Sequence, residues 1–212
     1  MNVHVESGLK VQLVSVLINQ LQVRESKQAY EQLLRLGQQL ANEHAGKTLS
    51  EIPDVAHARS FFRAIGIEPT RRRPSSEALL NRAMKDKGFF SVNELVDAGN
   101  WCSLDFLLPI GIYDADKLHG TVHLVKGSTE DSYLALNKRE MSFDGRYVLK
   151  DDIGAFGSPL TDSLRTCIST STSKALLILY APEGYDVSLL DQHRMTFIER
   201  VQSVCGGEVI DE

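Results

Sequence analysis

The chain has 212 residues, of which 42% are hydrophobic and 24% are charged, and its formal net charge is -5. This composition is typical of globular proteins and excludes disordered and collagen-like chains. The apolar runs, such as residues 175–180, are far shorter than the roughly 20 residues that span a bilayer. The first residues show neither the basic nor the apolar region of a signal peptide. We therefore expect a cytoplasmic protein that makes no contact with membranes.

The chain begins with a pattern typical of β structure. Val3 and Val5 alternate with polar residues, and residues 11–18 are rich in β-branched side chains, so both segments are predicted to be strands. Apolar residues then recur at helical spacing between positions 29 and 40. This pattern predicts an amphipathic helix, and we expect Ser26 to be its N-cap.

Three more helices are predicted before residue 107. The second begins at Pro53 and ends before Gly66, and the third begins at Pro74, because proline favours the first turn of a helix. The fourth begins at residues 91–94, whose Ser-x-x-Glu pattern is a capping box, and continues to about Phe106.

The pattern after Pro109 changes to short strands separated by turns. Strands are predicted over residues 121–125, 133–136, 146–149 and 175–180, and the last is apolar enough to lie at the centre of a sheet. A final helix is predicted to begin at a second capping box, residues 188–191, and to end at Gly206. Helices at both ends of a run of strands predict an α+β fold, with a mixed or antiparallel sheet packed against helices.

Polar residues of the fourth helix are candidates for a functional site. Asn93, Asp97 and Asn100 are spaced four and three residues apart, which places them on one helical face. This face is either a solvated surface or a row of hydrogen-bonding groups that points into a cleft.

Metal and cysteine chemistry are not expected. The three cysteines have no C-x-x-C spacing, which argues against a disulfide framework and a zinc finger. Aspartates are common in turns because they bond the local backbone, so the four carboxylates considered as metal ligands are assigned to turns: Asp114, Asp116, Asp151 and Asp152. No cofactor is predicted.

Five short stretches occur in the order found in one known family. They are residues 73–80, 96–100, 108–118, 149–152 and 162–166. In this order the chain resembles the tRNA-editing domain, called the B-three/four domain, of the phenylalanyl-tRNA synthetase beta subunit. It is most similar to the free-standing versions of that domain. The resemblance covers about residues 71–182 and implies the same fold for that core.

We expect a single domain over residues 1–212, with residues 1–70 packed on the core as a strand-and-helix extension.

The resemblance implies that a cleft receives the 3′ end of a mischarged tRNA and that the protein hydrolyses the aminoacyl ester in trans. An activated ester needs an oriented water and donors to the oxyanion rather than a strong nucleophile. The residues expected to position water or the terminal ribose are Asn100, Asp97 and Ser163. Those expected to bind substrate are Asn93, Gly111, Asp152, Asp162, Arg165 and Thr166. Those expected to contact tRNA are Arg71, Arg72 and Arg73.

One position departs from the family pattern. Gly111 lies two residues after Pro109 and three before Asp114, where the synthetase domains have a pocket histidine, so selectivity for tyrosine does not transfer.

The alternative function is a non-catalytic binding module that uses the same cleft for tRNA, an amino-acid-like ligand or a protein partner. The chain lacks a broad basic face, so only a local contact with the acceptor end of tRNA is expected, and no DNA binding.

Overall fold

The computed structural model describes residues 3–210. The helices are α1 (Gln28–Glu43), α2 (Val55–Ala64), α3 (Ser75–Met84), α4 (Glu94–Phe106) and α5 (Val187–Cys205). The strands are β1 (Val3–Val5), β2 (Val11–Asn19), β3 (Ile110–Asp114), β4 (Val122–Lys126), β5 (Ser132–Leu134), β6 (Glu140–Ser142), β7 (Tyr147–Lys150), β8 (Ala155–Gly157), β9 (Ala175–Pro182) and β10 (Glu208–Ile210). These elements form an α+β fold, as predicted.

Two four-stranded sheets organise the core. One has the strand order β10-β2-β9-β3 and is antiparallel. The other has the order β1-β4-β7-β8, in which only the β1–β4 pair is parallel. The N-terminal segment therefore contributes β2 to a sheet of the core itself, next to β9, rather than only packing on the outside.

Strand β9 lies at the centre, as its apolar sequence predicted. All eight of its residues are buried, and successive side chains of a strand point to opposite faces. Leu177 and Leu179 pack with α4 and α5, whereas Leu176 and Ile178 pack with α2 and the second sheet. Burial on both faces explains why the β9 sequence is continuously apolar rather than alternating.

The N-terminus of α1 is capped by a residue that is distant in sequence. The Glu94 carboxylate accepts hydrogen bonds from the backbone N–H of Gln28 and Ala29, both at 2.8 Å, and from the Ser26 hydroxyl. The prediction that Ser26 is the N-cap was wrong, because that hydroxyl binds Glu94 and Lys27 occupies the N-cap position without a side-chain bond. Glu94 thereby joins α4 to α1.

The two predicted capping boxes are also replaced by other caps. Asn93 is the N-cap of α4, and its side chain accepts a hydrogen bond from the backbone of Val96 at 3.0 Å. Asp186 is the N-cap of α5 and binds the backbone N–H of Leu189 at 2.9 Å. The predicted serine lies two residues before the observed N-cap of α4 and two residues after that of α5, inside the helix.

Four strands were not individually predicted, namely β3, β6, β8 and β10. Three of them have only three residues, too few for a periodic pattern.

Within residues 3–210, no helix combines the length and the apolar character that crossing a bilayer requires.

Candidate functional site

An apolar cleft opens between α4, β3 and the loop that follows β8. Its volume is about 350 Å³, within the range of small-ligand sites. Apolar side chains form most of its wall: Val92, Val96, Ile110, Ile112, Leu136, Pro159, Leu160 and Ile168. The polar groups at the wall include Asn100 from α4 and Asp162 from the loop. Two of the predicted site residues therefore meet in one cleft.

Asp162 is the acidic side chain of the cleft wall. The residue as a whole remains partly exposed, and burial raises the pKa of its carboxyl to about 7, although a hydrogen bond with the Tyr113 hydroxyl opposes this shift. Desolvation disfavours the charged form of a carboxyl group. At neutral pH the group is thus divided between its acid and base forms, which suits proton transfer.

The polar face predicted on α4 is divided between structural and cleft positions. Asn100 lines the cleft and is partly exposed. Asp97 is fully buried, and its carboxylate accepts hydrogen bonds from the Ser91 hydroxyl at 2.6 Å and the Val92 backbone at 3.0 Å. Asn93 caps the helix. The expectation that all three point into the cleft is corrected, because the start of α4 uses two of them to hold its own backbone.

Ser163, Arg165 and Thr166 lie outside the cleft wall. Ser163 and Arg165 line a second, more polar hollow of about 500 Å³. The Ser163 hydroxyl is buried and lies 3.1 Å from the Thr166 hydroxyl, which also donates to the backbone of Phe156. Because neighbouring residues of an extended chain point to opposite sides, Asp162 faces the cleft and Ser163 does not.

Arg165 is occupied by protein groups. Its guanidinium makes two hydrogen bonds of 2.9 Å with the Asp151 carboxylate and a third, of 3.0 Å, with the backbone oxygen of Lys117. Burial acts to raise the pKa of Asp151, but Arg165 and nearby backbone N–H groups outweigh it and bring that pKa below its usual value. These contacts give Arg165 a structural role, and its predicted role in substrate binding stays a prediction.

Gly111 lies behind the cleft wall rather than in it. Ile110 and Ile112 line the cleft, so Gly111 points to the opposite face of β3. A Cβ atom at position 111 would lie 2.7 Å from the Tyr113 ring and hydroxyl, and one at Gly157 would lie 2.4 Å from the same ring. The buried Tyr113 ring therefore fits between two glycines and fills the space that a larger residue 111 would need.

Gly111→Ala is expected to destabilise the protein by about 1–3 kcal/mol, the usual cost of overpacking a core. The reason is that the fully buried Tyr113 ring would have to shift away from a methyl group 2.7 Å from it. Chemical denaturation measures the free energy of unfolding of the variant and of the wild type. Gly111→Ala with wild-type stability would contradict this packing.

The remaining predicted residues lie outside the cleft wall. Asp152 is exposed and packs over Gly120. Arg71, Arg72 and Arg73 are exposed in the turn before α3, and the first residue of α3, Ser75, lines the cleft. The three arginines are therefore close in sequence to the cleft rim without forming part of its wall.

The sequence reasoning missed the apolar wall of the cleft. The alternation of Ile110, Gly111, Ile112 and Tyr113 could have placed both isoleucines on one face. The loop over residues 158–162 carries no comparable signal, and only the fold brings it opposite α4.

Within residues 3–210, no group of three or more His, Cys, Asp or Glu side chains could hold a metal ion.

Comparison with known proteins identifies one family. Residues 57–191 match the family model described as the B3/4 domain. The phenylalanine–tRNA ligase beta subunit of Neisseria meningitidis is 26% identical over 142 residues, which are 65% of this chain and 18% of that subunit. The corresponding subunit of Ruegeria pomeroyi is 30% identical over 90 residues, 42% of this chain and 11% of the subunit. The chain thus spans less than a fifth of the length of these two ligase subunits.

Two further relatives cover nearly the whole chain. An uncharacterized protein of Bacillus subtilis, YhzB, is 23% identical over 203 residues, 95% of this chain and 91% of that protein. The crystal structure of an N-terminal fragment of the phenylalanyl-tRNA synthetase beta subunit from Pyrococcus horikoshii aligns with a TM-score of 0.50 at 14% identity, covering 99% of this chain and 50% of the fragment. At this identity the structural match concerns the fold.

Proposed function

Because the chain belongs to the B3/4 domain family, we propose that it hydrolyses the ester of mischarged aminoacyl-tRNA in the cleft between α4, β3 and residues 158–162. The observation that carries the proposal is Asp162, a carboxyl group with a pKa of about 7 at the wall of an apolar cleft. Perturbed pKa values in clefts are typical of catalytic groups. The proposed substrate is made in the cytoplasm, where we place the protein.

Asp162 acts in this proposal as the general base. Its ionised carboxylate takes a proton from a water molecule while the water oxygen forms a bond to the ester carbonyl carbon. The amide N–H of Asn100 donates a hydrogen bond to the resulting oxyanion. The intermediate then collapses, the bond between the carbonyl carbon and the ribose oxygen breaks, and that oxygen receives the proton from Asp162. The products are the free amino acid and uncharged tRNA.

The apolar wall determines which amino acid can enter. Ile110, Ile112 and Leu160 offer no hydrogen-bonding side chain to a polar amino acid, and an apolar pocket discriminates mainly by size and shape. Gly111 contributes no side chain to the wall. We therefore expect a preference for apolar amino acids that fit the cleft, rather than for the phenolic hydroxyl of tyrosine.

The experiment that tests the proposal follows loss of the aminoacyl ester from a panel of mischarged and correctly charged tRNAs. The expected result is faster hydrolysis of one mischarged species than the buffer rate, with the correctly charged species left intact. If every ester decays at the buffer rate, the proposal is wrong. Salt-sensitive tRNA binding without hydrolysis would then favour the alternative, a non-catalytic module that uses the same cleft.

Asn100→Ala is expected to lower the deacylation rate constant by about 10²- to 10³-fold, the usual effect of removing one oxyanion donor. The melting temperature should stay near that of the wild type, because Asn100 is a partly exposed cleft residue. Single-turnover hydrolysis and thermal denaturation measure the two effects, with Asn42→Ala, exposed on α1, as the control. A variant that loses its fold would make Asn100 a structural residue instead.

A further inference from the structure

An exposed aromatic ring lies beside the C-terminal end of α3. The Phe90 side chain is 75% exposed, and the Arg82 guanidinium carbon lies 4.6 Å from the centroid of its ring. Arg82 is itself held in place, because its Nε donates to the backbone oxygen of Gly88 at 2.8 Å and its Nη2 to that of Lys87 at 3.0 Å. The guanidinium is thus fixed over one face of the ring, and most of the ring is open to solvent.

The charge around this surface differs from that of the whole protein. Residues 70–90 carry six Lys or Arg against two Asp or Glu, in a chain whose net charge is -5. One of the two acidic residues, Glu77, is buried and neutralised by ion pairs with Arg59 and Arg73. Both ends of α3 are therefore positively charged, which favours a polyanion as the partner.

The surface lies next to the cleft. Phe90 is two residues from Val92, which is 58% exposed and lines the cleft, and two residues of extended chain span at most about 7 Å. At its other end, α3 begins with Ser75, also at the cleft wall. A flexible polyanion whose end occupies the cleft can therefore reach Phe90 with the unit that precedes its end.

We propose that Phe90 and Arg82 form a stacking platform for the base of an unpaired RNA nucleotide, the one that precedes the esterified terminal nucleotide in the cleft. This inference rests on the proposed function. Bases stack on exposed aromatic rings regardless of sequence, and arginine adds a cation–π contribution. The surrounding lysines and arginines attract the phosphates. The platform explains how a chain with net negative charge holds the end of a tRNA by a local contact.

The test measures binding of uncharged tRNA at low salt, with the unpaired 3′ nucleotides either intact or removed. Phe90→Ala is expected to weaken binding of the intact tRNA by about 5- to 100-fold, the effect of losing one stacked base, and to leave binding of the trimmed tRNA unchanged. Phe90→Trp should bind the intact tRNA at least as well as the wild type. Val187→Ala, a similarly exposed apolar residue at the start of α5, serves as the control.

Three results would overturn the platform: equal binding by Phe90→Ala and the wild type, equal weakening with both tRNAs, or no tRNA binding by the wild type. Hydrolysis of a small aminoacyl ester without RNA separates this proposal from the catalytic one. Phe90→Ala should hydrolyse it at the wild-type rate. If the wild type hydrolyses no ester but Phe90→Ala still weakens binding of the intact tRNA alone, the catalytic proposal fails and the platform stands.

Discussion

Asp162→Asn is expected to lower the deacylation rate constant by about 10²- to 10⁴-fold, the usual contribution of a general base. Asparagine preserves the size of the side chain but cannot accept the proton of the attacking water. Single-turnover hydrolysis of the mischarged tRNA measures the effect. Asp144→Asn, in the exposed turn between β6 and β7, should react at the wild-type rate. An Asp162→Asn variant with wild-type activity would exclude Asp162 as the base.

The same carboxyl group determines the pH dependence of the reaction. The ionised form is the base, so the wild-type rate, after subtraction of the uncatalysed rate, should rise through a pH of about 7, the pKa of Asp162. The residual rate of Asp162→Asn should not show this rise. A wild-type profile that is flat between pH 6 and pH 8, roughly the interval in which such a group titrates, would contradict the assignment.

Asp162 also makes the stability of the protein depend on pH. An unfolded Asp titrates near 3.9, whereas in the fold the pKa is about 7, so the native state retains a proton that the unfolded state has lost. The contribution of this carboxyl is complete below about pH 4 and is lost as the pH rises through about 7. Asp162→Asn should therefore melt several degrees above the wild type at pH 8 and lose this advantage below about pH 4. A variant that melts lower at every pH would indicate a structural role.

Glu94→Ala is expected to reduce the free energy of unfolding by about 2–4 kcal/mol, because charge-assisted hydrogen bonds are lost and the buried N–H of Ala29 remains without a partner. The donors are the backbone N–H groups of Gln28 and Ala29 and the hydroxyl of Ser26. For a chain of this size, the change corresponds to a fall in melting temperature of about 5–15 °C.

Thermal and chemical denaturation measure this effect, with Glu43→Ala in the exposed last turn of α1 as the control, which should change stability by at most about 0.5 kcal/mol. Glu94→Gln should lie between the two, since its amide oxygen can still accept one hydrogen bond. A small effect of Glu94→Ala would mean that the contact between α1 and α4 does not depend on this carboxylate.

The helix caps show that local and distant interactions compete for the same side chain. The Ser-x-x-Glu pattern at residues 91–94 located the start of α4 within three residues. It did not reveal that Glu94 binds the N-terminus of α1 across 65 residues of chain. A sequence motif describes bonds that a side chain can make nearby, whereas burial beside another helix decides which of them forms.

The candidate site was predicted in part. Asn100 and Asp162 line the cleft, but Asp97, Ser163 and Arg165 make structural contacts elsewhere. Their residue types suit either role, since carboxylates, hydroxyls and guanidiniums serve equally in caps, ion pairs and active sites. Only the direction of each side chain separates the two.

The sequence by itself determined the α+β class, the central position of β9, the approximate start of each helix and the resemblance to an editing domain. These follow from hydrophobic periodicity and ordered motifs, which are local properties of the chain. The tertiary structure alone decided that Gly111 makes room for the Tyr113 ring and that residues 158–162 close the cleft opposite α4. It also decided that the Asp162 carboxyl is desolvated beside the Tyr113 hydroxyl. Each of these depends on contacts between distant segments, and a pKa of about 7 for an aspartate arises only when such contacts remove water from it.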